Sequence, residues 1–110
     1  DIEEAFATAE DVMEVAENLM RHVCMYLKET YQKELKALRH DVVVPDVPFR
    51  RFTYDEVLRE LAEKGIEVTW GEDLPTPAFR MLGKIHPYFF FIVDWPSSLK
   101  PFYIKPKNSK

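Results

Sequence analysis

Two acids open the chain two residues apart, Asp1 and Glu3. If residues 1–7 are extended, alternation puts Asp1, Glu3, Ala5 and Ala7 on one face and Ile2, Glu4 and Phe6 on the other. Paired carboxylates on one strand face have two readings: a grip for an ammonium group or a metal ion, or a pair of solvated acids. The histidines, His22, His40 and His86, lack metal-ligand spacing. Cys24 is the only cysteine, so neither an internal disulfide nor a cysteine zinc site is available. The glycines Gly65, Gly71 and Gly83 each fall where a turn is expected, and no glycine-rich phosphate loop or nucleophile elbow is present. Gly71-Glu72-Asp73-Leu74 reads either as a cation-binding turn or as capping chemistry for the next helix. Lys100, Lys105, Lys107 and Lys110 make a basic end. It suits phosphate or RNA contact, but the commoner reading is a charged tail that keeps an apolar strand from aggregating. Tyr103 lies among these lysines; beside a turn, its hydroxyl can reach a ligand.

The elements that must carry these residues follow from periodicity. Residues 1–7 read as a strand. Thr8 caps a helix, with Asp11 as the return partner of a capping box. Val12, Ala16, Leu19, Met20, Val23, Leu27, Tyr31 and Leu35 recur at three- and four-residue steps, which predicts one helix to about Ala37 with a polar, solvated far end. Residues 39–51 form a connector with a short strand at Val42-Val43-Val44. Thr53-Tyr54-Asp55-Glu56 is a capping box, Phe52 and Val57 suit a hydrophobic staple, and Gly65 suits a glycine C-cap completed by Ile66. Residues 66–70 alternate as a strand. Thr76-Pro77 predicts a cap and a first-turn proline for a short helix ending at Gly83. Residues 88–95 are apolar on both faces, as a strand covered on both sides would be. After a turn at Pro96-Ser97-Ser98, residues 102–105 read as a last strand. The order of elements is that of an α+β chain.

The composition excludes several classes. At 46% hydrophobic and 14% aromatic, the chain is rich enough in apolar groups to fold. Its 110 residues bound it to one domain at most. A net charge of −4 argues against a free-standing nucleic-acid binder. The start is acidic, unlike a signal peptide, and the longest apolar run is far shorter than the roughly 20 residues that span a bilayer. With a single cysteine, a cytoplasmic setting is expected.

Three stretches, in order, resemble the catalytic domain of aspartyl- and asparaginyl-tRNA synthetases, a class II subgroup. They are Asp1-Ile2-Glu3-Glu4-Ala5-Phe6; Pro48-Phe49-Arg50-Arg51-Phe52-Thr53-Tyr54-Asp55-Glu56, continued by Gly65-Ile66-Glu67-Val68 and Trp70-Gly71-Glu72-Asp73-Leu74; and Phe91-Ile92-Val93-Asp94-Trp95-Pro96 followed by Lys100-Pro101-Phe102-Tyr103. The resemblance implies an antiparallel sheet flanked by helices. It also implies ATP-dependent activation of aspartate or asparagine to an adenylate, with transfer to tRNA. It assigns Asp1 to the substrate α-ammonium, Glu3 to a neighbouring position and Tyr103 to the wall of the amino-acid pocket. It makes residues 1–110 a partial catalytic domain, running from the second-motif strand to the strand before the third motif. The main ATP and Mg2+ ligands are then expected outside the chain, and the fragment alone is expected to be inactive. The complete protein is expected to be a cytoplasmic homodimer with no membrane contact. Two alternatives accompany this reading: a paralogue that makes asparagine from aspartate and ammonia without tRNA charging, and a non-catalytic binding module derived from a synthetase.

Overall fold

Thr8 begins the first helix as its sequence requires: its hydroxyl accepts from the Asp11 N–H at 3.2 Å, and its own N–H donates to the Asp11 carboxylate at 2.8 Å. The structure is a computed structural model that describes residues 1–107, and its chain divides into two compact units, Asp1–Phe49 and Arg50–Lys110. Lys110 of the basic end therefore lies outside the described residues.

In the first unit, helix α1 spans Ala9–Thr30 and α2 spans Gln32–Ala37. The single helix expected to Ala37 is thus broken at Tyr31, which has φ −114° and ψ 39°. The β-branched Thr30 and the aromatic Tyr31 are weak helix formers. The polar segment after them is exposed, as expected, so no packing holds the helix through the junction. Within this unit the more covered positions of α1 are Val12, Met13, Ala16, Glu17, Arg21 and Cys24, while Val15, Leu19, Val23 and Leu27 are exposed.

Glu17 is the exception to the rule that charges stay outside, at 3% exposure. Its carboxylate accepts a hydrogen bond from the backbone N–H of Phe49, itself buried. One helix side chain thereby pins the end of the connector 32 residues further along. Glu17→Ala would leave that N–H without its charged acceptor, at a cost of about 1–3 kcal/mol. Faster hydrogen exchange at the Phe49 amide is the expected sign; unchanged protection would show that the connector is held by other contacts.

Residues 1–7 form no strand. Alternation marks a face, but a strand also needs a hydrogen-bonded neighbour, and among the described residues nothing pairs with this run. Phe6, at φ 55°, turns the chain out of the extended region just before the Thr8 cap. Val42–Val44 is likewise irregular, with no strand partner among the described residues.

The second unit is built on α3, Tyr54–Glu63. The Thr53 capping box is present, with both Thr53–Glu56 bonds at 3.2 Å. At the other end Gly65 takes φ 83°, its N–H reaching Ala62 O at 3.1 Å and the Ile66 N–H reaching Leu61 O at 2.9 Å. That is a Schellman cap, with Ile66 folded back on the core. Tyr54, Val57 and Leu61 lie at helical spacing on one face and meet Leu74 together with Ala78 and Leu82 of α4, Thr76–Ile85. α4 starts one residue earlier than expected, with Pro75 as cap and Pro77 inside the first turn. It also continues through Gly83 to Ile85 and stops before Pro87, because a residue preceding proline is driven out of helical geometry.

Strands β1, Arg50–Thr53, and β2, Phe90–Val93, pair in parallel, Arg50 opposite Phe90 and Thr53 opposite Val93. This is the only sheet among the described residues. The mixed helix-and-strand class is as expected, but the pairing in this chain is parallel rather than the antiparallel arrangement the resemblance implies. The chain leaves β1, runs through α3 and α4 and re-enters as β2, the long crossover that parallel strands need. Phe52, Phe90 and Ile92 face the helices. The strand expected at 66–70 is irregular although its alternation is real: Ile66 and Val68 pack on the core while Glu67 and Thr69 are exposed. Residues 102–105 form turns rather than a strand.

Candidate functional site

The carboxyl end of β2 carries the most unusual geometry in the second unit. Asp94 follows the strand with φ 56°, a left-handed conformation that Asp tolerates better than most residues. Trp95 then folds back, its indole N–H donating to the Ile92 carbonyl at 2.9 Å. Tyr54, at 0% exposure, lies against it with ring centroids 5.4 Å apart and meets Trp70 edge-on at 6.1 Å.

The buried Tyr54 hydroxyl is fully used. It donates to the Glu72 carbonyl at 2.6 Å and accepts from the Gly71 N–H at 3.2 Å. Gly71 has φ 96°, a conformation that a side chain would strain. Trp70 adds a second tether, donating from its indole N–H to the Asp55 carboxylate at 2.8 Å. Asp73 accepts from the Leu74 N–H at 2.8 Å. The Asp73 carboxylate thus serves the turn itself and does not cap α4, whose cap residue is Pro75 with no side-chain bond, so neither reading of Gly71-Glu72-Asp73-Leu74 is met as expected.

Beyond Trp95 a single 3₁₀ turn, Ser97–Leu99, leads to Lys100, whose ammonium lies 4.7 Å from the Trp95 ring centroid. Pro101 then opens a tight turn closed by the Ile104 N–H on the Pro101 carbonyl at 3.0 Å. Phe102 and Tyr103 are its central residues, 100% and 72% exposed. Lys107 closes the excursion, donating to the Asp94 carboxylate at 3.1 Å. Two lysines of the basic end are therefore engaged within the chain. His86 is also accounted for structurally: its Nε2 lies 2.7 Å from the Glu60 carboxylate, and its ring packs 4.3 Å from Phe52 and 5.6 Å from Phe90.

Asp1 and Glu3 are exposed on the irregular start of the first unit, and Tyr103 is exposed at a turn of the second. Among the described residues no group of three or more His, Cys, Asp or Glu side chains is placed to hold a metal ion. No described helix is long and apolar enough to cross a membrane. Sequence reasoning missed the Tyr54–Trp95–Lys100 stack. Its only trace was the aromatic after β2 and the lysine before Pro101, a spacing that no regular element produces.

The family that accounts for this arrangement is that of the tRNA synthetases class II (D, K and N), whose pattern matches residues 1–110. The chain belongs to it. It is 48% identical over 111 residues to an aspartate–tRNA(Asp/Asn) ligase of Methanopyrus kandleri, covering 100% of this chain and 26% of that protein. It is 40% identical over 116 residues to the aspartate–tRNA(Asp) ligase of Pyrococcus abyssi, again covering 100% of this chain and 26% of the relative. Among solved structures, asparaginyl-tRNA synthetase from Pyrococcus horikoshii, complexed with asparaginyl-adenylate, superposes with a TM-score of 0.88 at 31% identity, over 96% of this chain and 25% of that one. The chain spans about a quarter of the length of the curated relatives it matches.

Proposed function

We propose that the complete protein is an ATP-dependent ligase that activates aspartate as its adenylate and transfers it to tRNA, and that residues 1–110 contribute part of its amino-acid site. The observation that carries this is the 48% identity to an aspartate–tRNA(Asp/Asn) ligase along the whole chain. In this reading the Asp1 carboxylate receives the substrate α-ammonium through a charge-assisted hydrogen bond. Glu3 adds negative charge close by, and Tyr103 lines the pocket. The substrate carboxylate attacks the α-phosphorus of ATP and pyrophosphate leaves. A tRNA hydroxyl then displaces AMP from the adenylate carbonyl. Holding the carboxylate in line for the first attack is the contribution asked of this chain's residues. Mg2+, when bound, would neutralise phosphate charge, and its main ligands would lie outside residues 1–110. The same reading makes the complete protein a cytoplasmic homodimer.

The similarity to an asparaginyl enzyme favours asparagine as a second substrate reading. The test is ATP–pyrophosphate exchange by the full-length protein with aspartate and asparagine supplied separately. Exchange with aspartate, followed by aspartyl transfer to tRNA, is the expected result. Exchange with asparagine alone would replace the substrate. Aspartate-dependent exchange that goes on to yield free asparagine with ammonia, and no charged tRNA, would identify the asparagine-making paralogue. No exchange with either amino acid would overturn the proposal in favour of a non-catalytic module.

A further inference from the structure

We infer that Trp95 is a positioning residue for the amino-acid site: braced by Tyr54 and holding Lys100 over its ring, it fixes where the turn of residues 101–104 presents Tyr103. This rests on the reading of Tyr103 as a pocket residue, and it adds a residue that does not itself touch substrate.

Little else holds the turn. Phe102 is fully exposed and Tyr103 largely so, which leaves the turn without burial of its own. Its internal bond, Ile104 N–H to Pro101 carbonyl, sets its shape but not its place. Position must come from its two stems. On the outgoing side, Lys100 immediately precedes Pro101, whose ring fixes φ, so that little freedom separates the lysine's anchor from the turn. That anchor is the Trp95 ring at 4.7 Å. On the return side, Lys107 bonds to Asp94, the neighbour of Trp95. Both stems are thus referred to the two residues that follow β2.

The platform itself is rigid. The Trp95 ring is held by its bond to the Ile92 carbonyl within β2. Against it lies Tyr54, buried and held at its hydroxyl by Gly71 and Glu72. A cation over an indole is the strongest of the side-chain cation–π pairs, and it is tolerant of sliding but not of loss of the ring. The role therefore demands an aromatic at position 95 and a cation at position 100, rather than any particular hydrogen bond between them.

The test uses the full-length protein in ATP–pyrophosphate exchange, with KM and kcat measured for aspartate and for ATP. Trp95→Leu is expected to raise the aspartate KM by about tenfold, with the ATP KM within about twofold, because misplacing a substrate-positioning group acts on binding of that substrate. Trp95→Phe keeps a ring and is expected to recover most of the loss. Lys100→Met, at an exposed position where folding is not at stake, is expected to raise the same KM by about three- to fivefold. Tyr103→Ala serves as the reference. If Tyr103→Ala raises the aspartate KM while Lys100→Met and Trp95→Leu leave it unchanged, the positioning role is wrong and the pocket reading stands. If Tyr103→Ala leaves it unchanged, the pocket reading falls and this inference falls with it. A Trp95→Leu protein that loses both kcat and thermal stability, beside an unaffected Lys100→Met, would reduce Trp95 to a core residue and also overturn the inference.

Discussion

Replacing Asp1 with alanine in the full-length protein is expected to raise the KM for aspartate in pyrophosphate exchange by at least about thirtyfold, with the KM for ATP little changed. The magnitude follows from the role. A carboxylate that pairs with a buried ammonium leaves an unpaired charge when it is removed, at a cost of about 2–5 kcal/mol. The asymmetry between the two substrates is the informative part. General damage to the catalytic domain would weaken both, whereas loss of an ammonium partner weakens only the amino acid. Glu3→Gln keeps the shape and removes one charge further from the bond, so its effect should be several-fold smaller. An Asp1→Ala protein with an unchanged aspartate KM would remove Asp1 from the site.

The largest effect on stability is expected at Leu61. It is wholly buried between Tyr54 and Val57 on its own helix and Leu74, Ala78 and Leu82 beyond it. Leu61→Ala would leave a cavity that this small core can close only in part, at a cost of about 2–5 kcal/mol. Leu61→Met nearly conserves volume and should cost less than about 1.5 kcal/mol. Urea unfolding of the full-length protein followed by tryptophan fluorescence is a suitable measurement, because Trp95 packs on that core and both it and the more exposed Trp70 lie against Tyr54. Equal midpoints for the alanine and methionine variants would mean that the α3–α4 packing does not limit stability.

Local chemistry was legible in the sequence wherever the partners lie within a few residues. The Thr8 and Thr53 capping boxes and the Gly65 cap depend on neighbours three to five positions away, and each is in place. The strands divided on a different criterion. Residues 90–93 pair, whereas 1–7, 66–70 and 102–105 do not, although all four runs carry a strand-like pattern. Alternation reports which side of a run is covered, as Ile66 and Val68 show, but not whether a neighbour completes its hydrogen bonds. The two halves of α1–α2 make the converse point: periodicity continued through Tyr31 while backbone propensity did not. For the candidate site, type and spacing raised Asp1, Glu3 and Tyr103 but left each with a structural reading beside the functional one, and the resemblance alone assigned their roles. The platform beneath Tyr103 was illegible because Tyr54, Trp95 and Lys100 meet only through the fold.

The parallel pairing of β1 with β2 has a consequence for synthesis. The two strands are separated by about forty residues, so at ~5–20 residues per second β1 emerges from the ribosome ~2–8 s before its partner does. Helix α3 has both ends capped by its own neighbours and can form in that interval. Phe52 cannot be covered by Phe90 until the second strand arrives. The nascent chain therefore passes through a stage in which β1 lacks its β2 partner, and slower elongation would lengthen that exposure to holdase chaperones.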